Sequence, residues 1–174
     1  MKYLVKFFVV TFFFIFSTHS FAEQNIVVLD MKFVLNNSKA GKGAQDFLKK
    51  SFNDNAKKFS EMEKNLKKEE KDLLAKKTIL SEEDYKKKSN ELRNKVIEYQ
   101  TKRRASLDKI ATQRAKSRET LIKKVNPIVD AYINENNISI VLDKKNVIGG
   151  LNQYDITKII VEKLNKELPS LKLQ

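Results

Sequence analysis

Apolar residues are spaced in four ways along this chain, and each spacing predicts a different element. Residues 7–16, FFVVTFFFIF, form one unbroken apolar run behind Lys2 and Lys6. Residues 26–30, IVVLD, and 138–143, ISIVLD, are short β-branched runs that both close on Val-Leu-Asp, and they predict strands. From about Ser38 to Asn136 the chain is dominated by Lys, Glu, Leu, Ala, Gln and Arg, all strong helix formers, with no glycine after Gly43 and one proline, Pro127. After NVIGG, Asp155 can cap a last helix, ITKIIVEKLNKEL, which stops before Pro169.

The long middle exceeds any single globular helix. Its best interruption is KKTILSEED, where Ser81 and Asp84 form a capping box and acids at 82–84 suit a helix start. Lys76 and Lys77 suit the end of the preceding helix. The prediction is therefore an antiparallel helical hairpin with its turn near 78–81. The second helix is the longer, and its surplus runs back past the start of the first. There Leu121, Ile122, Val125, Ile128, Val129, Tyr132 and Ile133 concentrate, and they should pack on the strands and the last helix. Pro127 either kinks a continuous helix or stands in the first turn of a new one capped by Asn126.

Along the first arm, Phe52, Phe59, Leu66 and Leu73 recur every seven residues, with Leu48, Asn55, Met62 and Glu69 as companions. The second arm answers with Tyr85, Leu92, Val96 and Tyr99 and then thins out. Half of the companion positions, Asn55 and Glu69, are polar. Such arms should pair yet stay exposed and bendable. The aromatic residues Phe52, Phe59 and Tyr99 either complete the seam or also touch a bound partner.

Residues 1–22 carry no acid and hold the only His, and STHSFA puts Ser20 and Ala22 where a signal peptidase reads. This predicts a cleaved signal peptide over 1–22, cut after Ala22. A transmembrane anchor would need ~20 apolar residues; the uncharged stretch 7–22 turns polar at Ser17. Without Cys or His, residues 23–174 can build no thiolate or imidazole metal site, no Cys nucleophile and no Ser–His triad. No catalytic apparatus, metal or cofactor is expected.

Charge is divided unevenly. Residues 39–125 contain 26 basic and 14 acidic side chains, a net +12, while the rest of 23–174 has 7 and 8. The positive charge is densest between Tyr99 and Lys124, and includes Lys102, Arg103, Arg104, Arg114, Lys116 and Arg118. So large an excess repels itself and implies an anionic partner. The candidates are acidic unfolded protein, anionic lipid or lipopolysaccharide, and nucleic acid, which secretion argues against.

Three domains of organisation follow: the signal peptide 1–22, a small β/α body from 23–38 and 126–174, and a basic arm at 39–125. The body is too small to be stable easily alone, since domains of ~60 residues are already marginal. It should complete its sheet with other copies, through Ile26, Val28, Ile140 and Leu142. Other constellations carry less. Gly41-Lys42-Gly43 lacks phosphate-loop spacing and reads as a flexible entry to the arm. Asn36 and Asn137 match a glycosylation pattern that is common by chance. Asp30 and Asp143, at the ends of the twin strands, read as caps.

The signal peptide, NIVVLDMKFVLNNSKAGKGAQDFLKK, the basic hairpin, ISIVLDKKNVIGG and DITKIIVEKLNKELPS together resemble the Skp/OmpH-like periplasmic chaperone family. The likeness covers essentially all of 23–170 and rests on the order and spacing of its parts. The resemblance implies an α+β, mostly α fold: a long coiled-coil hairpin, or tentacle, protruding from a small body that completes a β-barrel by trimerisation. It also implies an ATP-independent periplasmic holdase, not an enzyme, that keeps unfolded outer-membrane β-barrel proteins in a cationic cavity between its arms. The family's client contacts are diffuse and single out no residue; the arm pattern itself makes Phe52, Phe59, Tyr99 and the six basic residues named above the candidate client contacts. The family's proposed lipopolysaccharide site has no clean counterpart here. A different reading of the same arms is a structural envelope coiled coil that bridges anionic lipid surfaces.

Overall fold

A computed structural model describes residues 25–173; the expected signal peptide over 1–22 and its cleavage after Ala22 lie outside the described residues. Strand β1 (Asn25–Leu29) pairs in parallel with β2 (Ile138–Asp143). Parallel neighbours need a long crossover, and here the whole helical hairpin supplies it. The Val-Leu-Asp endings do not lie side by side. A register shift between Asn25 and Ile26 sets Val28 opposite Leu142 and Leu29 opposite Asp143.

Asp30 ends β1 and starts α1 (Met31–Asn37), its carboxylate accepting from the Phe33 N–H at 2.7 Å. This short helix follows the first strand directly. Seven residues are too few to hold a helix in water, and α1 persists because Val34 and Leu35 are buried. Ser38 then serves two helices. Its N–H donates to the Val34 carbonyl at 3.1 Å, and its hydroxyl accepts from the Gly41 N–H at 3.1 Å to cap α2 (Lys39–Ala75).

Gly41 is not a flexible entry. It lies buried inside α2, and a Cβ there would sit 1.9 Å from the Leu35 carbonyl oxygen. The glycine permits the backbones of α1 and α2 to approach that closely.

The hairpin expected from the sequence is present. Ser81 caps α3 (Glu82–Glu135), accepting from the Asp84 N–H at 3.1 Å, with three acids in the first turn. Helix α3 runs through Pro127, so no new helix begins at Asn126. It stops at Asn136, whose backbone and side-chain N–H groups both donate to the Tyr132 carbonyl, at 3.2 and 2.9 Å. Asn137 takes φ 50°, a left-handed conformation that asparagine tolerates, and reverses the chain into β2.

Beyond β2, two short 3₁₀ turns, Lys144–Asn146 and Asn152–Tyr154, lead to α4 (Thr157–Glu167). Asp155 accepts from the Thr157 N–H at 2.9 Å, and the Thr157 hydroxyl accepts from the Asp30 N–H at 2.9 Å. The Ile156 N–H donates to the Val28 carbonyl at 3.0 Å, which lays this segment along the free edge of β1. The core gathers where the arm meets the sheet: Val27, Leu29, Val34, Leu35, Leu121, Val125, Ile128, Ile160 and Leu164 are all buried.

Candidate functional site

Strand alternation divides the sheet into two faces. Val27 and Leu29 point into the core at 8% and 4% exposure, whereas Ile26, Ile140 and Leu142 stay 38%, 46% and 42% exposed on the other face. Ile26 pairs with Ile140 and Val28 with Leu142, so the four residues expected at an interface form one open apolar patch. The segment after β2 extends it. Ile148, Leu151 and Tyr154 are exposed, and a hollow of about 440 Å³ is lined by Ile26, Val28, Leu142, Val147, Leu151 and Tyr154. Sequence reasoning missed these last contributors; their signal was apolar residues flanking the exposed Gly149–Gly150 loop.

Lys144 and Asp155 close one side of this hollow with an ion pair at 2.5 Å. Partial burial raises the Asp155 pKa, but the Lys144 ammonium and the Thr157 donors outweigh it and hold the carboxyl below its usual range. Asp30 and Asp143 act as caps. Asp143 accepts from the Lys145 N–H at 3.1 Å and meets its ammonium at 3.0 Å. Among the described residues no cluster of acidic or His side chains could hold a metal ion. Among the same residues no helix is long and apolar enough to cross a membrane.

Between the arms the seam closes unevenly. Leu48 and Phe59 are buried, and Phe59 meets Tyr99 edge to face, ring centroids 6.0 Å apart at 71°. The Tyr99 hydroxyl reaches the Glu63 carboxylate at 3.5 Å. Phe59 is therefore committed to the seam in the folded arm and offers no free ring. Phe52, one heptad earlier, remains 51% exposed. Toward the tip the helices leave a groove of about 510 Å³ lined by Leu66, Leu73, Tyr85, Leu92, Val96 and Tyr99. A second hollow of about 250 Å³ holds Phe52, Phe59, Arg103 and Leu107. Val96, Ile97 and Leu107 add exposed apolar surface.

The six basic residues singled out in α3 do not share a face. Lys102 pairs with Glu98 on its own helix. Arg103 borders the seam near Glu63, whose carboxyl is held low chiefly by Lys67 and further by Arg103. Arg114 and Arg118 line a hollow of about 710 Å³ at the arm root, together with Leu48, Lys49, Phe52 and Leu121. Arg104 and Lys116 are exposed. The charge flanks the seam as a partial collar.

Comparison with known proteins bears on this geometry. The family model described as outer membrane protein (OmpH-like) matches residues 25–164. The fold is similar to the crystal structure of a candidate OmpH-like outer membrane chaperone from Caulobacter crescentus, with a TM-score of 0.80 and 20% identity over 91% of this chain and 94% of that one. No curated relative matches the sequence significantly.

Proposed function

Since this chain belongs to the OmpH-like outer membrane protein family, we propose that it is a periplasmic chaperone that holds unfolded outer-membrane β-barrel proteins without ATP. The signal peptide over 1–22 would deliver it. Its function is binding, not catalysis. Three copies share the open sheet face formed by Ile26, Val28, Ile140 and Leu142, and their hairpins enclose the client.

The observation that carries this reading is how the molecule divides its apolar surface. The tight core lies at the root, while the arms leave Phe52, Val96, Ile97 and Leu107 exposed within a strongly cationic surface. A cationic cage draws in anionic clients by long-range attraction. Scattered apolar contacts then hold them weakly at many points, which gives high avidity while the client keeps moving. Folding of the client at the membrane drives release, so no nucleotide is needed.

The test is whether the purified protein keeps a denatured β-barrel membrane protein soluble. Deleting residues 46–118 and joining the ends by a short linker should leave an assembled body without this activity. Full suppression by the truncated protein would place the client site on the body. If the intact protein fails to suppress aggregation but clusters anionic vesicles, the envelope-bridging reading is the correct one.

A further inference from the structure

Between residues 88 and 123 of α3 lysine stands at every seventh residue: Lys88, Lys95, Lys102, Lys109, Lys116 and Lys123. All six are exposed. The seam of this helix also repeats in sevens, through Tyr85, Leu92, Tyr99, Ser106 and Gln113. The lysines therefore keep one flank beside it and form a rail with steps of about 10 Å.

The residues four positions before these lysines are Asp84, Glu91, Glu98, Ala105, Thr112 and Glu119. An acid four residues ahead of a lysine is the favourable order for pairing on a helix. The structure makes two such pairs, Glu98 with Lys102 and Glu119 with Lys123, and Lys95 reaches across to Glu69 at 2.6 Å. The pattern lapses in two successive heptads, where Ala105 and Thr112 replace the acids. There Lys109 and Lys116 form no ion pair among the described residues. Arg114 and Arg118 line the arm-root hollow beside the same stretch. Within residues 103–118, six basic side chains meet a single acid, Asp108.

We propose that this uncompensated collar, centred on Lys109 and Lys116, is where the arm docks acidic segments of an unfolded polypeptide. The proposal rests on the holdase reading and locates its capture site. Lys88 is also unpaired among the described residues, but residues 82–98 balance five basic with five acidic side chains, whereas 103–118 set six against one, so the collar dominates the attraction that α3 exerts on an approaching chain. Exposed Phe52 and Leu107 share a hollow with Arg103 at the edge of the collar. Phe52, Arg103 and Leu107 line a concave hollow that a flexible chain can enter and the flat surface of a bilayer cannot, which favours polypeptide over a lipid surface.

The test restores the missing acids. Ala105→Glu with Thr112→Glu completes the pairing on exposed helix positions and lowers the net charge by two. Lys64→Gln with Lys71→Gln makes the same charge change on exposed positions of α2. Association of a labelled, permanently unfolded Glu-rich polypeptide is followed by stopped flow at low salt, after circular dichroism has checked each fold. The first variant should slow association about fivefold or more, and the second less than about twofold, within the range that electrostatic steering spans. If the first misfolds, Lys109→Gln with Lys116→Gln makes the same comparison. Equal slowing by both changes, or by neither, overturns the proposal. So does tighter binding of anionic vesicles than of the polypeptide. Suppression of β-barrel aggregation by the unaltered protein is measured alongside: if it persists while charge position proves irrelevant, the capture site is wrong and the holdase reading survives; if it is absent, that reading falls as well.

Discussion

Gly41 and Gly43 stand two residues apart near the start of α2, yet replacing each by alanine should move stability in opposite directions. At Gly43 an added Cβ would meet nothing within 4 Å. Glycine in a helix costs about 0.5–1 kcal/mol relative to alanine, so Gly43→Ala should gain about that much. At Gly41 the same methyl would lie 1.9 Å from the Leu35 carbonyl oxygen and 2.9 Å from both the Leu35 carbonyl carbon and the Ser38 hydroxyl. Two of these three atoms are backbone, so no rotamer change relieves the contact. Helix α1 must move, and Val34 and Leu35 move with it out of the core. Overpacking of this kind costs roughly 1–3 kcal/mol, with the upper end fitting a backbone clash. Disturbing the Ser38 cap adds about 1 kcal/mol, and the propensity gain offsets about 1 kcal/mol. The net is a loss of about 3 kcal/mol. At ~3 °C per kcal/mol for a chain of this size, Gly41→Ala should lower Tm by about 9 °C and Gly43→Ala should raise it by about 2–3 °C. Thermal melts by circular dichroism, at matched protein concentration, decide it. A Gly41→Ala protein as stable as the unaltered chain would refute the close approach of α1 to α2.

Other consequences are equally direct. Val28→Asp puts a carboxylate on the open sheet face, opposite Leu142, and light scattering should show the proposed trimer falling apart; unchanged mass would overturn the proposal that this face is the interface. Asn137→Val should cost about 1–2 kcal/mol because a branched side chain resists the left-handed region, whereas Asn137→Gly should be tolerated; denaturant midpoints separate the two. The folded-state pKa of Asp155 is depressed, so its contribution is present above the ordinary carboxylate range and is lost as pH falls below about 4. Asp155→Asn should therefore begin less stable at neutral pH and lose less on acidification to about pH 2, as read from melts across that range.

Elements whose causes lie within a few residues are legible in the amino-acid sequence alone. The hairpin follows from helix-forming composition broken at the Ser81 capping box, and two-residue alternation is enough to group Ile26 with Val28 and Ile140 with Leu142 on one side of their strands. The excess charge of the arm needs only counting. Tertiary contact decided the rest, because periodicity reports which face a residue occupies but not what lies opposite it. Phe52 and Phe59 occupy the same heptad column, yet only Phe59 meets Tyr99 across the arms. Residues Met31–Asn37 are too few to be helical alone and become so by burying Val34 and Leu35. The twin Val-Leu-Asp endings invite side-by-side pairing, and one shift at Asn25/Ile26 offsets them. Gly41 resembles a hinge in the sequence; it is a contact because the Leu35 carbonyl, six residues away along the chain, is folded against it.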